Sequence, residues 1–455
     1  MSPLDLSIID AAAKLRDGSL TSVALTQASL DRIAERDAVY RAFVALDAER
    51  ALEAAAAADR EIQAGKDRGP LHGIPIAVKD LIDTAGLRTA YGSRIFEAEV
   101  PKEDAEVVRR SKAAGAVILG KLDTYEFGMV GPSFDRPFPP AANPWRPDHF
   151  TGGSSSGSAA AVAGGLVRTA ISSDTGGSIR SPASYCGVVG LKPSYGTLPK
   201  QGAYALARSL DHLGPISATV AEAALTFDVL AGVSEERVAA SGKIGRPLDG
   251  LRIGYARNWF ARDAETMPAI VNRVDDAASQ LSLLGVRIEE VELPDAKLFE
   301  ACGGVIVHAE SFALHREQLA RSGDLYSEKT FPYFMAGIAL DESDLGLALK
   351  AAKALATELD ATLFSRFDAL LTVTTCTTAL PFSDFQGAAA RWTPMRTMAF
   401  NVTGHPALSV PCGFIDGLPV GMQIVGRHGD EATICQIGHG FEQSTDIGSV
   451  KPAWR

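Results

Sequence analysis

Two stretches of the chain gather serine hydroxyls on a flexible backbone: TGGSSSGSAAAVAGG at residues 151–165 and SSDTGGSIRSPASYCGVVGLKPSYG at residues 172–196. Paired glycines let a backbone come close to a ligand, and a serine oxygen attacks a carbonyl once a base takes its proton. Three chemistries suit such a pattern. The first is phosphate binding, because glycines ahead of a helix N-terminus favour anions. The GK[ST] ending is missing, however, and no GxGxxG follows the early strand-like runs. The second is a nucleophile elbow, since Gly153-Ser154-Ser155-Ser156-Gly157 satisfies GxSxG. That turn needs a hydrophobic strand leading into it, and here the polar, proline-rich NPWRPDHFT precedes it. The third takes the two stretches as one unit, the second repeating the theme of two glycines followed by a serine.

Taken together they resemble the amidase signature family. The resemblance rests on GGSS-x-GS at residues 152–158, on DTGGSIR-x-PA at residues 174–183, and on GIPIAVKD with its terminal lysine, in the order Lys79, Ser154, Ser178. It extends through GKLDTYEFG, NPW, DHLGPIS and GHPALSVPCGFIDGLPVGMQIVG, covering most of residues 71–426. Ser156 departs from the pattern, many members having glycine there; a small side chain is tolerated if φ is below zero.

The resemblance implies an amidohydrolase that cleaves the C–N bond of a small carboxamide to carboxylate and ammonia through a seryl acyl-enzyme. It casts Ser178 as nucleophile, Ser154 as the bridging serine held by a cis peptide, and Lys79 as base. The backbone N–H groups of Thr175, Gly176, Gly177 and Ser178 become the oxyanion donors, and no metal or organic cofactor is implied. Elementary chemistry agrees with these roles. A lysine at the end of an apolar strand loses hydration, which disfavours its charged form. To act near neutrality its pKa must fall by about 3 units, roughly 4 kcal/mol. Taken alone, Lys79 is a solvated strand-end residue and Ser154 a helix N-cap. Ser155, Ser156 and Ser158 are expected to cap the helix or hydrogen-bond in the turn, with Ser155 a lesser candidate to support the triad, and Asp174 and Arg180 to hold the loop.

These residues need elements to position them. GIPIAVKD reads as a buried strand behind a Gly/Pro signal. After it come DAEVVRRSKAAG as helix, AVILG as strand, SAAAVAGG as helix, and LVRTAIS and CGVVGLK as strands. TVAEAALTFDVLAG then reads as helix, LRIGYA as strand, two long helical stretches lie within residues 265–364, and DALLTV, ALSVPCG and VGMQIVG are strands before a closing helix in DEATICQIGHGFEQS. The alternation predicts one large α/β domain, a mixed and mostly buried sheet covered by helices on both faces. Within residues 1–455 it sets a helical preamble at 1–68, a catalytic core at 71–215 and a helical insertion at 296–365. GPSFDRPFPPAANPWRP, residues 131–147, is expected to be an irregular lid or binding loop.

Composition narrows the function. In 455 residues, 44 basic and 55 acidic side chains leave a net charge of −11, which gives no general affinity for nucleic acid or anionic membrane. The amino terminus lacks the basic flank of a signal peptide, and no apolar run approaches the ~18 residues of a membrane span, so a cytoplasmic protein is expected. The five cysteines lie far apart without a CxxC pair and read as free, buried thiols. The eight histidines are scattered without metal-ligand spacing. The partner expected is a small amide. The resemblance is also compatible with a homodimer through the amino-terminal helices and with a small accessory protein.

Two alternatives stand beside a free-standing amidase: a ureido- or biuret-type hydrolase with a small partner, and the glutamine-hydrolysing component of a tRNA-dependent amidotransferase complex. Glutamine-using members resemble one another in an aspartate ahead of the late Asn-x-x-Gly; here that segment is Asn401-Val402-Thr403-Gly404 and the matching position is Pro394. Arg391 and Arg396, in the same stretch, are either surface ion-pair partners or a grip for a substrate carboxylate. Phe134, Phe138, Trp145 and Phe150 of the long loop are candidates to line an aromatic pocket, and His308 to face the acyl group.

Overall fold

A strand that is apolar at every position up to its last residue belongs inside a sheet covered on both faces. In the computed structural model, which describes residues 2–232 and 238–453, Pro75–Lys79 is such a strand, buried throughout. It lies third in an eleven-stranded mixed sheet. Val117–Leu122 and Thr169–Asp174 flank it in parallel, so Lys79 and Asp174 end at the same edge, where α/β sheets hold ligands. His212–Ser217, Val189–Lys192, Ala407–Ile415, Leu418–Gly426 and Ala369–Val373 continue the sheet antiparallel, and Arg252–Tyr255 and Arg287–Glu290 finish it parallel to Ala369–Val373.

Alternate side chains of a strand point to opposite faces, and here each face meets its own core. Ile76, Val78 and Ile171 pack in one cluster with Phe227, Leu408 and Ile437. Ala77 and Ala170 face the other way, into a cluster with Ala159, Ala160 and Val162. Those last residues belong to the helix Ser156–Ala163, whose alanines let it lie close to the sheet. Lys79 falls in step with Ala77, and so on the side of the sheet that this helix covers. The fold is therefore a single α/β domain with both sheet faces buried.

The expected elements are present, together with short helices that were not expected, Arg180–Cys186 and Met398–Val402 among them, and the rest differs in four places. The preamble is helical over Ile8–Arg16, Ser22–Tyr40 and Ala48–Gln63, but Phe43–Leu46 is a strand pairing antiparallel with Val117–Leu122 at the sheet edge. Four residues between two helices are too few to show a period. DHLGPIS holds the central strand His212–Ser217, whose Gly and Pro mask its pattern. Arg287–Glu290 is a mostly exposed edge strand within the stretch expected to be helical. Finally, the irregular segment at residues 131–147 runs into a short hairpin, Ala142–Asn143 with Arg146–Phe150.

Candidate active site

Lys79 is fully buried, and its Nζ donates to Ser154 Oγ at 2.8 Å and to Ser173 Oγ at 2.9 Å. Burial pulls the ammonium pKa down to about 7, against the opposing pull of Asp174, Asp211 and Asp123. Ser154 follows Gly153 across a cis peptide bond. A Cβ at Gly153 would lie 2.3 Å from the Tyr125 ring, so that position has no room for a side chain. Asp123 anchors the serine run, accepting from Ser156 Oγ at 2.8 Å through its carboxylate and from the Gly157 N–H at 3.0 Å through its carbonyl. Tyr125 N–H donates to Ser154 O at 3.2 Å.

Of the roles expected for the following serines, side-chain capping is not seen, whereas Ser155 and Ser156 do hydrogen-bond around the turn. Ser155 occupies the N-cap position, yet its hydroxyl donates to Ser173 O at 3.1 Å rather than to the helix. Ser156 starts the helix with its hydroxyl on Asp123, and Ser158 Oγ has no hydrogen-bond partner among the described residues. Ser156 is absent from the positive-φ residues, which explains why serine replaces glycine there without strain.

The second serine segment hangs from Asp174. One carboxylate oxygen accepts from the Gly177 N–H at 2.8 Å, the other from the Ile179 N–H at 3.1 Å. Arg180 is fully buried and uses all its N–H groups inside the protein: on both Asp174 oxygens, Thr397 O, Gln423 Oε1 and Asn401 Oδ1. Nothing is left for a substrate, in keeping with a loop-holding role. Burial alone would raise the Asp174 pKa; the Arg180 charge and hydrogen bonds overcome it and hold the carboxyl well below the usual carboxylate range. Gly177 sits at φ 136°, and a Cβ there would meet Thr397 Oγ1 at 2.2 Å.

Of the four expected oxyanion donors, Gly177 N–H is thus already given to Asp174. The N–H groups of Thr175, Gly176 and Ser178 have no backbone or side-chain acceptor among the described residues. The loop carrying them is braced from two sides. Thr397 Oγ1 donates to Gly176 O at 2.6 Å, and Thr175 Oγ1 donates to Asp211 Oδ1 at 2.6 Å. Asp211 is half-buried, and the loss of hydration lifts its pKa to about 6 despite bonds from Thr175 and from the Leu206 and Ala207 N–H groups.

Ser154, Ser178 and the Thr175–Gly177 backbone line one cavity of about 1200 Å³. Phe150 and His308 line it too, as expected; His308 Nδ1 lies 2.9 Å from Tyr333 O. Three expected residues are elsewhere. Phe138 lies under the Arg88 guanidinium, which sits 4.7 Å from the ring centroid. Phe134 is exposed and packs on Phe382. Trp145 gives its indole N–H to Cys186 O at 2.8 Å and packs on Phe414. The aromatic wall comes instead from Tyr125, Trp259, Tyr333 and Trp392, which local sequence does not single out.

Pro394 and Arg396 also line the cavity. Arg396 is nearly buried and bonded to Asp263 and to Trp259 O, with Glu300 3.8 Å away, so carboxylates of the chain itself already occupy the grip. Arg391 pairs with Asp384 at 2.9 Å. Ser173, Asp211, Asn401 and Thr397 are the supporting residues that sequence reasoning passed over. The signal for them is one of position: Ser173 and Asp211 lie inside segments already singled out, and Asn401 opens the Asn-x-x-Gly segment.

Residues 24–435 match the family described as Amidase. The chain belongs to the amidase family. It is 36% identical to the A component of the glutamyl-tRNA(Gln) amidotransferase of Carboxydothermus hydrogenoformans, over 98% of this chain and 99% of that protein. Among solved structures, the native peptide amidase of Stenotrophomonas maltophilia shares 32% identity at a TM-score of 0.84, covering 97% of each chain. A protein complex tied to the origins of an s-triazine catabolic enzyme shares 30% at a TM-score of 0.89, over 96% of this chain and 98% of that one. Among the described residues of this amide-hydrolysing enzyme, no helix is long and apolar enough to cross a membrane.

Proposed function

We propose that this amidase hydrolyses a carboxamide to carboxylate and ammonia through an acyl-enzyme on Ser178. The observation that carries the reading is a buried lysine whose Nζ lies 2.8 Å from Ser154 Oγ, at the wall of a cavity that Ser178 also lines. Neutral Lys79 takes a proton from Ser178 through Ser154, and the Ser178 oxygen attacks the amide carbon. The developing oxyanion is met by the N–H groups of Thr175, Gly176 and Ser178, whose loop is fixed beforehand by Asp174, Asp211 and Thr397. Ser154 returns the proton to the leaving nitrogen, ammonia departs, and water attacks the acyl-enzyme by the same route.

The amide itself has two readings. The names of the relatives favour glutamine, hydrolysed by one component of an amidotransferase complex. Pro394 on the cavity wall favours another amide, because proline offers nothing to hold a substrate ammonium. So does the cavity, larger than the ~300–1,000 Å³ that small ligands usually fill. The test is ammonia release by the purified chain from aryl, aliphatic, dicarboxylic, peptidyl and ureido amides and from glutamine, with Ser178→Ala and Lys79→Ala alongside. Release from a non-glutamine amide, lost in both variants, supports the free-standing amidase. Release from glutamine alone, or only once partner proteins are added, supports the amidotransferase. Activity that survives Ser178→Ala sinks the mechanism.

A further inference from the structure

Away from the cavity, a helical turn and two loops bring together side chains that the amide chemistry does not use. Asp360 follows the helix Glu342–Leu359, His405 precedes the strand Ala407–Ile415, and His428 follows the strand Leu418–Gly426. One donor atom from each lies within 4.8 Å of the other two. His405 Nε2 and Asp360 Oδ1 are 3.1 Å apart, the separation that two ligands bound at about 2.0–2.1 Å adopt at near right angles around one ion. His428 packs against His405 with ring centroids 4.1 Å apart and planes tilted by 31°, and Phe364 stacks on the His405 ring at 4.7 Å.

The His405 ring is held at both nitrogens. Thr403 Oγ1 lies 2.9 Å from Nδ1 and 2.9 Å from Ala399 O, and Ala399 O also accepts from the Thr403 N–H. With the ring proton on Nδ1 and donated to Thr403 Oγ1, Nε2 turns its lone pair toward Asp360 Oδ1, and a cation between the two binds both. A metal-ligating histidine with its other nitrogen donating to a hydroxyl or carbonyl is the usual arrangement around such ions.

We propose that Asp360, His405 and His428 form a binding site for a divalent cation of the zinc type, completed by water. Two imidazoles and one carboxylate suit Zn²⁺, Co²⁺ or Ni²⁺ rather than the oxygen-seeking Mg²⁺ or Ca²⁺. His405 is buried, whereas Asp360 and His428 are exposed, which leaves an entry path and room for water on the solvent side. The ion clasps the end of a helix to the loops at the ends of two adjacent sheet strands. Its role is structural, and the amide site does not depend on it.

The test uses the full-length protein freed of metal by chelator and dialysed against Zn²⁺ or Co²⁺, with bound metal measured directly and Co²⁺ ligation read from its visible absorption. One equivalent is expected, with Co²⁺ bands of a nitrogen–oxygen site and a rise in Tm on adding Zn²⁺. Asp360→Asn and His428→Ala change exposed residues and should each weaken binding by at least about tenfold and abolish the Tm rise. His439→Ala, outside the cluster, should leave both unchanged. Substoichiometric binding by the wild type, or equal binding by all the variants, overturns the proposal. So does a doubly protonated His405 ring seen by NMR at neutral pH in the presence of Zn²⁺, since a proton would then fill the place assigned to the ion.

Discussion

Lys79 sets the pH at which this site can work. Its pKa of about 7, reached by burial, means the lysine is charged and useless as a base below that value and neutral above it. Accordingly, kcat/KM should rise about tenfold per pH unit below 7 and level off above, as an initial-rate profile would reveal. Lys79→Ala should remove that limb and lower kcat on the order of 10²–10⁴-fold. Asp211 acts one step back, holding Thr175 by a 2.6 Å hydrogen bond without lining the cavity. Asp211→Asn should lower kcat by about 10–10²-fold, less than the loss of a whole oxyanion donor, and leave KM within about twofold. A rise in KM with kcat intact would instead mark Asp211 as part of substrate binding. At this scale the sequence made the principal residues readable, because glycine–serine clusters and a strand-end lysine stand out locally. The roles of Asp211, Asn401 and Thr397 did not stand out, since they come from contacts across the fold, such as Asn401 Nδ2 on Asp174 at 2.8 Å.

At the scale of elements, the site depends on a strand end and a helix start held by one buried ion pair. Arg180 joins the Thr169–Asp174 strand end to the strand Leu418–Gly426 through Gln423 and to the helix Met398–Val402 through Asn401. Removing its charge leaves Asp174 buried and unpaired, so Arg180→Met should cost about 3–5 kcal/mol of stability, measured by denaturant unfolding. Gly177→Ala combines strained φ with a collision at Thr397, and should erase activity while changing the unfolding midpoint far less than Arg180→Met. Retained activity would mean that the loop can shift without harm. Strands carried by continuous apolar runs were legible in advance: Pro75–Lys79, Ala369–Val373 and Leu418–Gly426 lie where they were expected. Phe43–Leu46 and Arg287–Glu290 were not, because edge strands are short and need no apolar face, and it is the neighbouring strand that makes them strands.

Over the whole molecule, the amino-terminal segment is part of the main core rather than an appendage. Leu4 and Ile8 pack in the cluster that covers one sheet face, and Phe43–Leu46 protects the edge of Val117–Leu122. A chain lacking residues 2–47 should expose that edge and collect in the insoluble fraction on expression; a soluble, active product would refute this. The α/β class was legible from the alternation of runs. The cavity lining was not, since Trp259, Tyr333 and Trp392 come from widely separated segments. The five cysteines are all free and buried, as their spacing suggested. Finally, the unequal exposure of Lys79 and Ser178 bears on covalent labelling. Lys79 is sealed from solvent, so acylating reagents that tag surface amines will pass it by in the folded protein. Ser178, half-buried on an open cavity, is where a sulfonyl or phosphonyl fluoride shaped to that cavity should attach, and the extent of attachment reports the fraction of molecules with the base in place.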